Sequence, residues 1–262
     1  MSDTLKITLV QTALHWENID ANLRMFDDKI ASIKEETDLI LLPEMFSTGF
    51  SMNAATLAED MNGKTLQWMK KVAAQKKCVL TGSVIIKESG KFYNRLIWMR
   101  PDGSFEQYDK RHMFRLADEG HTYSPGSKKI FTEIKGWRIL PLVCYDLRFP
   151  VWSRRKKQED YDLLLYVANW PERRGHAWRS LLVARAIENQ SYVAGLNRIE
   201  NDGNSIYHSG DSAVIDFKGE IISSIKAHEE SIETVTLIKT PLNEFRKTFA
   251  FIEDADQFNI MM

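Results

Sequence analysis

The stretch Arg138-Ile-Leu-Pro-Leu-Val-Cys144-Tyr-Asp-Leu-Arg-Phe-Pro150 constrains the fold most tightly. An apolar run climbs to a cysteine, polarity changes at once, and a proline follows six residues later. This pattern predicts a buried strand, a sharp turn and a short helix beginning near Pro150. A thiol there sits at the carboxyl end of a strand, near backbone N–H groups that favour thiolate and hold an oxyanion. Asp38-Leu-Ile-Leu-Leu-Pro43-Glu44 is a second apolar run, which presents Glu44 at its end, and Asp162 to Ala168 is a third, ending in Asn169-Trp170-Pro171.

Helices are expected between such strands. Ile19, Leu23, Phe26, Ile30 and Ile33 step by four and three, with Asn18 placed to cap. Leu66, Met69, Val72 and Ala73 mark a second helix, and Trp178 to Gln190 a third. Further strands are expected at Leu5–Gln11, Cys78–Ile86, Phe92–Met99, Tyr192–Asn197, Ser212–Phe217 and Glu233–Ile238. The segment from Lys110 to Gly126 is polar and without clear period, as is the stretch leading into it from Pro101. From Thr240, Phe245, Phe249, Phe251, Ile252 and Phe258 follow without strong periodicity; such apolar content suggests docking on a neighbouring subunit or across the fold. Alternation early and strands later imply an α/β fold, read as one domain over 1–262 with no linker or repeat.

Composition narrows the partners. The 262 residues are 44% hydrophobic and 27% charged, with net charge -1, which predicts neither nucleic acid nor an acidic membrane surface as partner. The short basic run Arg154-Arg155-Lys156-Lys157 is expected to be a solvated helix face. No apolar stretch approaches the ~18 residues of a membrane span, and no signal peptide is expected. Two cysteines without a CxxC pairing fit a reducing cytoplasm and speak against a disulfide framework or a zinc site. Cys78, inside a strand-like run, is read as a small core hydrophobe.

Three residues carry chemistry: Glu44 and Cys144, each after an apolar strand, and Lys110 in Tyr108-Asp-Lys110-Arg-His112-Met-Phe114. Ligand sites of open α/β sheets lie outside the carboxyl ends of strands, which brings Glu44 and Cys144 to one pocket. Each alone has a plainer reading: a loop carboxylate, a solvated lysine, a core thiol. Together, Leu-Leu-Pro-Glu44, Tyr-Asp-Lys110-Arg-His-Met-Phe and Val-Cys144-Tyr-Asp-Leu-Arg-Phe-Pro resemble, in chain order, the signatures of the carbon–nitrogen hydrolase, or nitrilase, superfamily. The similarity runs from the first strand to about Ile238.

The resemblance implies a four-layer α-β-β-α sandwich, a homodimer with the 240–262 tail at its interface, and a Glu44, Lys110, Cys144 catalytic triad without metal or cofactor. It also implies that a second acid in Asp118-Glu119-Gly120, Glu119 rather than Asp118, positions the lysine. In that chemistry Cys144 attacks an amide carbonyl and ammonia leaves a thioester, which water hydrolyses. Glu44 moves the protons, while Lys110 and the Tyr145 backbone N–H stabilise the oxyanion. Cys-Tyr-Asp-Leu-Arg-Phe-Pro, Asn-Trp-Pro with Arg173 beyond it, and Arg185-Ala-Ile-Glu-Asn-Gln resemble the ω-amidases, which cleave the terminal amide of 2-oxoglutaramate and 2-oxosuccinamate. Tyr145-Asp146 after the cysteine speaks against nitrile substrates. A dicarboxylate monoamide needs a cation for its far carboxylate, and Arg173 is the candidate. Phe46, Tyr145 and Trp170 are candidate pocket walls. Rival readings are N-carbamoyl or aliphatic amide hydrolysis with the same trio, a Cys–His hydrolase using His112, His121 or His176, and a binding protein on a retired hydrolase fold.

Overall fold

The computed structural model describes residues 2–260; residue 1 and the last two residues of the expected tail lie outside that range. The chain starts with β1 (Thr4–Gln11), α1 (Ile19–Ala31) and β2 (Leu39–Leu41). A one-turn α2 (Ala54–Leu57) and α3 (Lys64–Lys76) lead into a meander of β3 (Val79–Glu88), β4 (Lys91–Met99) and β5 (Phe105–Asp109). Then come α4 (Glu119–Thr122), β6 (Thr132–Ile134), β7 (Trp137–Val143) and α5 (Pro150–Ser153). β8 (Leu163–Ala168), α6 (Gly175–Asn189) and β9 (Tyr192–Asn197) precede a hairpin of β10 (Ile199–Asn201) and β11 (Tyr207–Ser209). β12 (Ala213–Ile215), β13 (Ser231–Ile238) and α7 (Lys239–Thr248) close the chain.

The strands form a six-stranded sheet, β13-β1-β2-β3-β4-β5, and a five-stranded sheet, β12-β9-β8-β7-β6. Alternation along β2 shows how they stack. Leu39 and Leu41 join one core with Leu5, Ile7 and Leu9 of β1 and with Ile139, Leu163 and Leu165 of the other sheet. Ile40 and Leu42 point the opposite way, to Phe26 and Ile30 of α1 and Met69 and Val72 of α3. On the far side, Trp178, Leu182 and Ala186 of α6 cover the five-stranded sheet. The result is the expected α-β-β-α sandwich. The central strands are buried on both faces, which is why they read as continuous apolar runs.

Direction matters for the site. β1, β2 and β3 run parallel, and β7, β8 and β9 run parallel. Two antiparallel pairings, β3 with β4 and β4 with β5, return β5 to the direction of β2. Glu44, just past β2, and Lys110, just past β5, therefore leave their sheet at the same end.

Four expectations are corrected. β5 was not expected as a strand: among the described residues it is an edge strand paired only with β4, and only Tyr108 of its five residues is buried, so no alternation shows. α7 was not expected either. Leu242 supplies its buried position, and Phe245 packs on Phe217 at 5.2 Å. Arg246 of α7 donates to Gln190 O, Tyr161 O and Asp162, so this part of the tail docks across its own fold. Arg154–Lys157 is an irregular loop after α5, in which Arg155 is buried against Asp160 and Asn189. Cys78 lies just before β3 rather than in it; it is buried as expected, and burial pushes its thiol pKa up to about 12.

Gly195 of β9 shows how closely α6 lies on the sheet: a Cβ there would stand 2.5 Å from Leu182 Cδ1 and 3.0 Å from Trp178 Cζ2. Both side chains are fully buried and have nowhere to move. Gly195→Ala is expected to cost about 1–3 kcal/mol of stability through overpacking, measured as a lower urea midpoint.

Candidate active site

Cys144 follows β7 directly, in a single-residue left-handed conformation, φ 44°, and opens a 3-10 turn spanning Cys144–Arg148. The expected short helix at Pro150 comes next. A non-glycine residue at positive φ is costly and is retained where surrounding structure imposes it. Here Asp146 imposes it from beneath. Its Oδ2 accepts the Val143 N–H at 3.1 Å and the Tyr108 hydroxyl at 2.7 Å. Its Oδ1 accepts the His112 N–H at 3.0 Å and pairs with His112 Nδ1 at 2.7 Å. One buried carboxylate thus ties the cysteine turn of one sheet to the residues flanking Lys110 on the other.

Lys110 is 1% exposed, and Glu44 and Glu119 are fully buried. Lys110 Nζ donates to Glu44 Oε1 at 2.9 Å and to both oxygens of Glu119 at 2.8 and 2.9 Å. Burial opposes its charge, but Glu119 and then Glu44 more than offset that, so its pKa is raised. Glu119 itself is pushed up by burial against the pull of Lys110. The Phe114 N–H donates to Glu119 Oε2 at 2.5 Å, and Asn94 Nδ2 donates to Glu44 Oε1 at 2.8 Å. Glu44 Oε2 accepts the Asn169 N–H at 2.9 Å, and Asn169 Nδ2 donates to Glu44 O at 2.5 Å. Gly126 lets the loop after Lys110 return to β5: its N–H donates to Lys110 O at 2.9 Å, and a Cβ there would lie 2.1 Å from Asp109 O.

Glu44, Lys110, Glu119 and Cys144 are therefore brought together. Cys144 and Lys110 reach the wall of a cavity of about 480 Å³, with Tyr145, Trp170 and Arg173 among its other lining residues. Asp118 points away into solvent beside His121. Phe46 does not reach the cavity. After a left-handed Met45 it turns into the helix-covered core, 5.6 Å from Phe26 and 5.8 Å from Trp68. The aromatic wall there is Phe50, whose ring lies 5.1 Å from Lys110 Nζ. None of His112, His121 and His176 lines the cavity. His208, which does, is buried, and burial and then Arg198 push its pKa down to about 4, leaving it neutral.

The resting sulfur is a thiol. Burial and then the Glu44 carboxylate hold the Cys144 pKa well above its usual range, against the pull of Lys110. Backbone N–H groups at the strand end do not offset these, so the thiolate expected from the turn alone needs a base to form. Asn94, Asn169 and Arg148 were missed in the sequence. Asn94 carried a signal, a lone amide in the apolar half of β4, and Asn169 opened a noted turn; Arg148 lay inside the cysteine motif.

Residues 6–246 match the Carbon-nitrogen hydrolase family. The chain belongs to the carbon–nitrogen hydrolase family. It is a hydrolase acting on carbon–nitrogen bonds other than peptide bonds. It is 48% identical over 258 residues to the omega-amidase YafV of Escherichia coli (strain K12), covering 98% of each chain. It is 30% identical over 251 residues to a 2-oxoglutaramate amidase of Bacillus subtilis (strain 168), covering 95% of this chain and 96% of that one. The crystal structure of XC1258 from Xanthomonas campestris, a CN-hydrolase superfamily protein with an arsenic adduct in its active site, superposes with TM-score 0.96 at 41% identity. That match covers 99% of this chain and 100% of that chain.

Glu44→Gln removes the second-largest upward push on the thiol and leaves the downward pull of Lys110. The alkylation profile of Cys144 is expected to shift to lower pH in this variant, while Cys78 stays unlabelled near neutrality. Iodoacetamide labelling rates against pH, read by mass spectrometry, check this.

Proposed function

We propose that this enzyme is an omega-amidase, hydrolysing the terminal amide of 2-oxoglutaramate or 2-oxosuccinamate to the dicarboxylate and ammonia. The observation that carries the reading is Lys110 held by Glu44 and Glu119 at the wall of the cavity that Cys144 also lines. Near-complete alignment with omega-amidase relatives supports the choice of substrate class.

Each residue has one task in this mechanism. Glu44 takes the Cys144 proton as sulfur bonds to the amide carbon, and the carbonyl π pair moves to oxygen. Lys110 and the Tyr145 backbone N–H face that oxyanion. The tetrahedral species collapses, the C–N bond breaks, and Glu44 returns its proton to the departing ammonia. Water then gives a proton to Glu44 and attacks the thioester, releasing the carboxylate and restoring the thiol. Glu119 keeps Lys110 cationic and in place, which suits an electrostatic role and excludes it as a base. Trp170 walls the cavity, and Arg173 offers a cation near its mouth.

Two further points belong to the same proposal. The working unit is a homodimer, for which exposed apolar side chains such as Phe249, just past α7, offer surface. Its compartment is the reducing cytoplasm, consistent with two free cysteines.

Ammonia release from 2-oxoglutaramate, run beside glutamine, a simple aliphatic nitrile and N-carbamoyl-β-alanine, tests the reading, with Cys144→Ala as control. Strong turnover of the oxo-amide alone, abolished in the control, is expected. Turnover of N-carbamoyl-β-alanine instead keeps the nucleophile and discards the substrate. Lys110→Met, which leaves two buried carboxylates unpaired, is expected to lose about 3–5 kcal/mol of stability as well as activity, measured by urea unfolding.

A further inference from the structure

Asn94 opens the buried half of β4, a strand hydrogen-bonded on both sides, to β3 and to β5. It is fully buried and does not reach the cavity that Cys144 and Lys110 line. Its contacts go instead to the groups that hold Lys110. Asn94 Nδ2 donates to Glu44 Oε1 at 2.8 Å and, more weakly, to Glu119 Oε1 at 3.4 Å. These are the same two oxygens that Lys110 Nζ meets at 2.9 and 2.8 Å. The backbone carbonyl of Asn94 accepts the Lys110 N–H at 2.9 Å. One residue of a central strand thus anchors the backbone of the lysine and the two acids at the end of its side chain.

The amide is turned this way at a cost. Two carboxylates accept and do not donate, so only the NH2 group can face them. That leaves Asn94 Oδ1 buried, and among the described residues nothing donates to it. An unpaired buried acceptor is unfavourable, so the orientation follows from what Nδ2 does for the acids. A count of lone pairs shows what that is. A carboxylate oxygen accepts about two hydrogen bonds. Glu44 Oε1 has both, from Lys110 Nζ and Asn94 Nδ2. Glu44 Oε2 has one, from the Asn169 N–H at 2.9 Å. Asn169 is also the residue whose carbonyl Cys144 Sγ approaches, at 3.9 Å. The open position on the Glu44 carboxylate is therefore on Oε2, towards the residue that meets the thiol.

We infer that Asn94 is a positioning residue: by filling Oε1 of Glu44 and bridging to Glu119 it holds both acids on Lys110 and reserves Oε2 of Glu44 for the Cys144 proton. The inference rests on the mechanism proposed above, in which Glu44 moves that proton. As the C–S bond forms from the sulfur pair, the S–H bond breaks, the proton moves to Oε2 and the carbonyl π pair moves to oxygen. Asn94 touches no substrate, so its loss falls on kcat rather than KM. The titratable and charged groups facing the two acids are Lys110 after β5, Tyr123 just after α4 and Cys144 after β7. A carboxylate that loses an N–H donor holds a proton more readily. Removing Nδ2 therefore moves two profiles in opposite directions. Turnover, which needs Glu44 free of its proton, sets in at higher pH. Cys144 alkylation, which a charged Glu44 opposes, sets in at lower pH.

The test uses Asn94→Leu, which keeps the shape and removes the donor, and Asn94→Ser, which keeps a hydroxyl donor on a shorter arm, in the full-length protein. Asn94→Leu is expected to lower kcat for 2-oxoglutaramate by about 10- to 100-fold with KM near the wild-type value. It is expected to move the acid limb of kcat/KM to higher pH and the onset of Cys144 labelling by iodoacetamide to lower pH. Asn94→Ser is expected to lie between Asn94→Leu and the wild type in all three, and it decides the matter should Asn94→Leu fail to fold. A raised KM with unchanged kcat would overturn the inference. So would turnover and labelling that slow together with neither pH profile moved, the mark of a merely structural residue. Turnover of N-carbamoyl-β-alanine in place of the oxo-amide, or of neither, would sink the substrate reading, and the labelling profile would still judge Asn94.

Discussion

A lysine buried between two buried carboxylates is the interaction on which the rest of the site depends. Lys110, Glu44 and Glu119 are each almost wholly removed from water, and no one of them is tolerable there without the others. Bonding to both acids fixes the ammonium as a permanent positive charge beside Cys144. The same arrangement holds Glu44, bonded also to Asn94 and the Asn169 N–H, close enough to the thiol to push its pKa up. The electrostatics thus act alike on the two: the lysine is held cationic and the thiol is held protonated.

That constellation spans two sheets, so its geometry is only as good as the joint between them. The buried carboxylate of Asp146 is that joint. It holds the amide entering the cysteine turn and, from the other sheet, the hydroxyl of Tyr108 and both the backbone and ring of His112. Trp152 Nε1 adds a bond to the Tyr108 hydroxyl at 3.0 Å. Asn169 makes a second link, from the end of β8 to Glu44 after β2. Strand direction supplies the rest: the parallel runs ending before Glu44 and Cys144, with the two antiparallel pairings that return β5 to the direction of β2 before Lys110, deliver these side chains to one end of the sandwich.

Where local pattern and tertiary packing agree, the chain was legible. The buried strands ending at Glu44 and Cys144, the helix capped by Asn18 and the fully buried β9 all stand close to where hydrophobic period placed them. Legibility failed where an element is covered on one side only or where a turn decides direction. β5 hides its period at a sheet edge, and α7 showed too few apolar positions. Phe46 and Phe50 are equally aromatic and four residues apart, yet one fills the helix-covered core and the other faces Lys110. The left-handed turn at Met45 separates them, and composition does not encode it.

The sequence by itself determined the alternation of apolar runs, and hence an α/β fold, together with the residue types placed after those runs; the four-layer sandwich was implied by the family resemblance of its motifs. Three ordered motifs were enough to name Glu44, Lys110 and Cys144, with Glu119 beside them. Only the tertiary structure decided which groups share a low-dielectric site. It held the thiol pKa up and kept the sequence's candidate histidines out of the cavity. The physical reason is range. Periodicity and propensity act over a few residues, whereas burial, charge pairing and unspent hydrogen bonds depend on neighbours brought from far along the chain, as Asn169 is to Glu44, 125 residues away.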